Sequence, residues 1–109
     1  MSAHSVPAAE VAELLRRAIR GEVAVTLANP EWSWSDATGD CGFRIDGWEV
    51  VMYNDFGDLD YVDSVRAPDG RTGDFDYWFG NLAIYGSNPA AYLSQREDAL
   101  LLDLLEKAR

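Results

Sequence analysis

The sequence predicts an α+β fold in a single domain over residues 1–109: a small antiparallel sheet, a hairpin extended into a meander, covered by an N-terminal and a C-terminal amphipathic helix. Two helical stripes and one turn carry that reading. Val11, Leu14, Leu15, Ala18 and Ile19 recur at the spacing of one helix face near the start, and Leu100, Leu101, Leu104, Leu105 and Ala108 repeat it at the end. Between them Phe43 and Ile45 lead into Asp46-Gly47 and then into residues 48–53. Asp-Gly supplies the positive φ angles that a two-residue hairpin turn demands. Helices packed on one face of an antiparallel sheet leave the other face to solvent or to a partner.

The first helix is expected over 7–20, with Ser5 as its cap, Pro7 in its first turn and Gly21 as its stop. Residues 1–5 are expected to fray. Arg16, Arg17 and Arg20 fall in the last turns, where cations favour the negative end of the helix dipole. Residues 23–27 are β-branched enough for a strand, which Asn29-Pro30 ends. In 31–40, Trp32 and Trp34 stand two apart, so an extended chain puts both indoles on one side. They either close one end of the core or form an exposed aromatic ledge.

After the hairpin, residues 54–58 turn and 59–66 form a third antiparallel strand, which Pro68-Asp69-Gly70 ends. Strict alternation places Asp58 and Asp60 on the face of Val62, and Asp63 on that of Tyr61. Asp74 is placed to cap a short helix around Tyr77, Trp78 and Phe79, before an irregular stretch marked by Gly80 and Gly86. Asn88-Pro89 pairs a cap with a first-turn proline, and Ser94 with Glu97 has the spacing of a capping box.

Eleven carboxylates lie between positions 36 and 76 (Asp36, Asp40, Asp46, Glu49, Asp55, Asp58, Asp60, Asp63, Asp69, Asp74, Asp76), against Arg44, Arg66 and Arg71. They alternate with β-branched and aromatic residues, so the charge is expected on a folded surface rather than in a disordered tail. With a net charge of −10, nucleic acid and anionic lipid are excluded as ligands, and a basic protein is favoured. No apolar run approaches the eighteen or so residues of a membrane span, and the N-terminus lacks the pattern of a secretion signal. A cytoplasmic location is expected.

Catalytic chemistry is not legible here. His4 is the one histidine, which excludes a His-based triad or zinc site, and no glycine-rich loop links a strand to a helix. Cys41, the one cysteine, opens a strand and reads as a small core residue. Paired carboxylates can run glycoside chemistry, but a chain of 109 residues with no evident cleft does not favour it. Asp55, Asp58, Asp60 and Asp63 depart from a calcium loop in spacing, in the missing sixth-position glycine and in the missing closing glutamate. The expectation is a protein that is not an enzyme and holds no metal or cofactor.

Gly47-Trp48, Tyr53-Asn54-Asp55, Leu59-Asp60-Tyr61, Ala67-Pro68-Asp69-Gly70-Arg71, Trp78, Tyr85-Gly86, Asn88-Pro89 and Leu93-Ser94 occur in one order. In this the chain resembles a family of short bacterial proteins of unknown function, over about residues 43 to 108. Where that family often has cysteines, this chain has Phe56 and Val62, so no thiol role carries over. In size, acidity and lack of catalytic residues the chain is also similar to the immunity proteins of contact-dependent growth inhibition systems. That likeness implies binding and blocking of a basic toxin domain, often a nuclease.

The leading expectation is therefore an immunity protein, with Asp55, Asp58, Asp60 and Asp63 supplying charge and Tyr53, Phe56 and Tyr61 acting as anchors. Against it stands the reading of these acids as a solvated face. An alternative of another class is a small regulatory or ligand-binding domain with a pocket lined by Trp32, Trp34, Trp48 and Trp78.

Overall fold

Inward-facing side chains alternate along residues 39–45 and 48–55, and this alternation builds the centre of the core. The computed structural model describes residues 6–29, 33–34, 39–80 and 88–109, for positions 79–80 the backbone alone. Helix α1 (Ala8–Ile19) is followed by strands β1 (Val25–Leu27), β2 (Gly39–Ile45), β3 (Trp48–Asp55), β4 (Asp58–Arg66) and β5 (Thr72–Asp74). Helix α2 (Phe75–Gly80), a 3₁₀ turn (Pro89–Tyr92) and helix α3 (Gln95–Lys107) complete the order. The strands form one antiparallel meander in the order β1-β2-β3-β4-β5. This is the predicted α+β fold, with the N- and C-terminal helices flanking the sheet.

Cys41, Phe43 and Ile45 of β2 meet Met52, Val50 and Trp48 of β3 on the inner face. They join Val11, Leu14 and Leu15 of α1 and Leu101 and Leu105 of α3 in one apolar cluster. The C-terminal stripe is narrower than its spacing suggests: Leu104 is half-buried and Leu100 is 44% exposed.

Local signals place most of the boundaries. Pro7 stands just before α1 rather than inside it, as an extended N-cap residue, and Ser5 lies outside the described residues. Gly21 has φ +79°, its N–H donates to Ala18 O at 3.0 Å, and Glu22 N–H donates to Arg17 O at 2.9 Å. These two bonds make a Schellman stop. Asp74 Oδ1 accepts from Tyr77 N–H at 2.8 Å, capping α2. The capping box at α3 is complete: Ser94 Oγ accepts from Glu97 N–H at 3.0 Å and Glu97 Oε1 accepts from Ser94 N–H at 2.9 Å.

The arginines of α1 find specific partners beyond the helix dipole. Arg16 pairs with Glu97 at 3.1 Å and donates to Tyr92 O at 2.7 Å, which docks α1 on the α3 start. Arg17 reaches Asp46 in the β2–β3 turn at 3.0 Å, and Arg20 pairs with Glu13 and Glu22. At the other end Arg71 grips Glu10 through two nitrogens at 3.0 and 2.7 Å and Asp69 at 2.8 Å.

Three features depart from the sequence expectation. The first strand is shorter, Val25–Leu27. Strand β5 is additional, and it contains Gly73, where a Cβ would stand 2.9 Å from the Trp78 ring. A glycine there lets the indole lie directly on the strand. Most consequentially, β4 does not alternate. Its register against β3 steps from Val51↔Ser64 to Met52↔Val62, and again from Tyr53↔Tyr61 to Asn54↔Leu59. Asp63 and Asp60 are the residues left without partners, each a β-bulge. Val62 therefore turns inward against Met52 without Asp58 and Asp60 sharing its face.

Asn88 does more than cap. Its Oδ1 accepts from Ala90 N–H at 3.1 Å and from Val62 N–H at 2.8 Å, while its Nδ2 donates to Val62 O at 2.7 Å. The side-chain amide thus satisfies Val62 as a neighbouring strand would, where β5 does not extend.

Candidate functional site

Register assigns the outer face of the sheet. Opposite the core-facing residues, Tyr53 is flanked by Asp40 on β2 and Tyr61 on β4. Tyr53 and Tyr61 stack with ring centroids 5.0 Å apart and planes 6° from parallel. Phe75, at the start of α2, adds a third ring 4.9 Å from Tyr61 and tilted by 54°. The bulges make this ladder: without the extra residue at Asp60, Tyr61 would not stand opposite Tyr53.

Acids surround the rings. Desolvation pushes the Asp63 carboxyl above its ordinary value, and the charges of Asp40, Asp74 and Asp76 push it further, against a hydrogen bond from Ser64. The Tyr61 phenol is likewise raised by desolvation and then by Asp40, Asp63, Tyr53 and Asp60. None of Asp40, Asp55, Asp58, Asp60, Asp63 or Asp76 forms an ion pair among the described residues. The face is bipolar, because its other end carries Arg44 opposite Glu49, and Arg66 at 3.8 Å from the same Glu49. Between the ends lies a shallow, open concavity of about 370 Å³, lined by Glu49, Val51, Ser64, Arg66, Thr72 and Asp74 among others.

The raised Asp63 carboxyl makes a signed prediction. Protonation is tighter in the folded chain than in the unfolded chain, so the ionised group costs stability above its folded value, and the cost fades as pH falls towards 3.8. Asp63→Asn is therefore expected to raise the melting temperature at neutral pH, with the gain shrinking on acidification towards that value. Melts of the two chains between pH 3.5 and 8 check it. A gain that grows as the pH falls would contradict this placement of Asp63.

The second cluster is the β3–β4 turn. Phe56 and Gly57 have φ of +52° and +97°, so both central residues are left-handed, as Asp46 (+50°) and Gly47 (+79°) are in the β2–β3 turn. Phe56 is 90% exposed. Asp55 and Asp58 are cross-strand partners on either side of it. Beneath the tip, Asn54 is 1% exposed, its Oδ1 accepting from Gly57 N–H at 2.6 Å and its Nδ2 donating to Trp34 O at 2.7 Å. The Trp34 indole N–H in turn donates to Gly57 O at 3.1 Å.

The seven residues singled out from sequence thus fall into two groups. Tyr53, Tyr61 and Asp63 meet on the outer face, with Asp60 on the bulge beside Tyr61. Asp55, Phe56 and Asp58 form the tip. Sequence reasoning missed Phe75, Asp40, Asp74 and Asp76 as members of the first group. Asp40 was within reach, since counting pairs outward from the Asp46-Gly47 turn lands it on Tyr53.

The four tryptophans expected to line a pocket are placed only in part. Trp34, Trp48 and Trp78 are buried in the core, and none of these three lines the concavity described above. Trp32 lies outside the described residues, as do His4, Asp36, Tyr85 and Gly86. Cys41 is buried and desolvation raises its thiol, the opposite of what a nucleophile needs. Among the described residues no group of three or more His, Cys, Asp or Glu is arranged to hold a metal ion.

A family model described as a domain of unknown function, DUF7693, matches residues 5–107. The chain belongs to the DUF7693 family. Neither the curated proteins nor the solved structures give a match. The DUF7693 span contains the three-ring ladder, the acidic end of the face and the Phe56 tip, together with both flanking helices. No helix among the described residues is long and apolar enough to cross a membrane.

Proposed function

We propose that the chain is a cytoplasmic immunity protein that neutralises a basic toxin domain, a nuclease above all, by covering its active site or substrate groove with the open face of its sheet. The observation that carries this reading is the ladder of Tyr53, Tyr61 and Phe75 on the outer face of the sheet, beside Asp40, Asp60 and Asp63, which form no ion pair among the described residues. Aromatic rings on a sheet supply anchors at low entropic cost, and unpaired carboxylates beside them attract cations that would otherwise hold phosphates. The same charge repels nucleic acid and anionic membranes.

The face assigns separate kinetic roles. Tyr61→Ala is expected to raise the dissociation rate about 30-fold, since a desolvated aromatic anchor contributes about 2 kcal/mol. Neutralising Asp58, Asp60 and Asp63 together is expected mainly to slow association, by about tenfold at low salt and less at ionic strengths where the Debye length is about 8 Å. Surface plasmon resonance against the cognate toxin domain measures both, with circular dichroism confirming that the variants fold. Co-expression should rescue cells from that domain. If wild type binds and neither change alters its kinetics, the face is a solvated surface and the reading falls.

A further inference from the structure

The two hairpin turns share one backbone form and differ in who occupies it. At the β2–β3 turn the left-handed positions hold Asp46 and Gly47, residues suited to them; at the β3–β4 turn the first holds Phe56. A bulky side chain at φ +52° is strained, and nothing in the fold compensates through packing, because the ring is 90% exposed. Meanwhile the backbone beneath it is held firmly by Asn54 and Trp34, through bonds of 2.6, 2.7 and 3.1 Å. A strained, solvent-exposed ring on a braced tip is a poor choice for folding and a good one for presentation.

We propose that the tip is a nucleotide mimic: Phe56 enters the base-stacking slot of the partner's nucleic-acid site while Asp55 and Asp58 pair the cations that flank it. Sites for single-stranded nucleic acid combine apolar or aromatic slots for bases with cations for the backbone, and this tip presents the complementary set, one ring between two carboxylates. Asn54 and Trp34 are positioning residues that hold the ring outward in the free protein, so that little order is lost on binding. This inference rests on the reading of the chain as a nuclease inhibitor, and adds the tip to the three-ring face as the part that enters the site while the face covers its surroundings.

The test measures inhibition of the cognate nuclease domain on a short single-stranded oligonucleotide, together with melting temperatures of the free chains. Wild type should compete with the oligonucleotide. Phe56→Asn, which installs the favoured Asn-Gly turn, should melt about 4–8 °C higher and inhibit at least tenfold less well. Phe56→Tyr should inhibit as wild type does. Non-competitive inhibition, or full inhibition by Phe56→Asn, overturns the inference; if Tyr61→Ala still weakens binding in that case, the reading of the open face stands. A Phe56→Asn chain no more stable than wild type overturns the claim that strain is tolerated for function. If wild type fails to bind the domain at all, both readings fall.

Discussion

Trp78→Ala is expected to cost about 3–5 kcal/mol, the range for deleting a buried aromatic side chain and leaving a cavity. The indole is fully buried, donates its N–H to Val6 O at 2.9 Å, and lies so close to Gly73 that even a methyl group there would meet it. It therefore joins the chain entering α1 to the edge strand β5 and to α2, which follow each other directly but lie about seventy residues further along the sequence. Against a total stability of roughly 5–15 kcal/mol, such a loss leaves a chain close to unfolding at ambient temperature. Urea denaturation measures it, with Trp78→Phe as the control that keeps most of the volume and removes one hydrogen bond, at about 1 kcal/mol plus a smaller packing loss. A Trp78→Ala midpoint equal to that of wild type would contradict this core.

Asn54→Ala is expected to cost about 2–4 kcal/mol, for a different reason. The side chain fills little volume, but its loss leaves Trp34 O and the Gly57 N–H without their partners, each an orphan worth about 1–3 kcal/mol where water cannot reach it. The loss should be local as well as global. Amide exchange at Gly57 is expected to accelerate towards the rate of an open loop, while amides of β2 remain slow. A change below about 0.5 kcal/mol with Gly57 still protected would mean that the brace under the tip is not as described.

The Asn54-Asp55 pair gains a physical reading from this brace. The asparagine is the one buried polar side chain among the described residues, and it serves the turn that follows it. From sequence, Asn54 to Asp58 reads as a turn without a type. The two-residue form was hidden because Phe is a poor occupant of a left-handed position, so the rule that identified Asp46-Gly47 gave no signal at Phe56-Gly57.

What the sequence by itself determined were the features whose partners lie within a few residues. The Schellman stop at Gly21, the capping box of Ser94 and Glu97, the Asp74 cap and the Asp46-Gly47 hairpin all close over short spans, and each was legible from residue type and spacing. The hairpin also carried its register out to Asp40 and Tyr53, because an unbroken ladder needs only its turn to be counted. The tertiary structure alone decided the bulges at Asp60 and Asp63, the short strand over Gly73, the amide of Asn88 serving Val62, and the Trp34–Asn54–Gly57 brace. Alternation assigns faces only while every residue has a partner, and β4 gives up two partners so that Leu59 and Val62 face the core while Tyr61 meets Tyr53 and Phe75 outside. That choice depends on core volume and on hydrogen bonds to residues more than twenty positions away, and no local pattern encodes either.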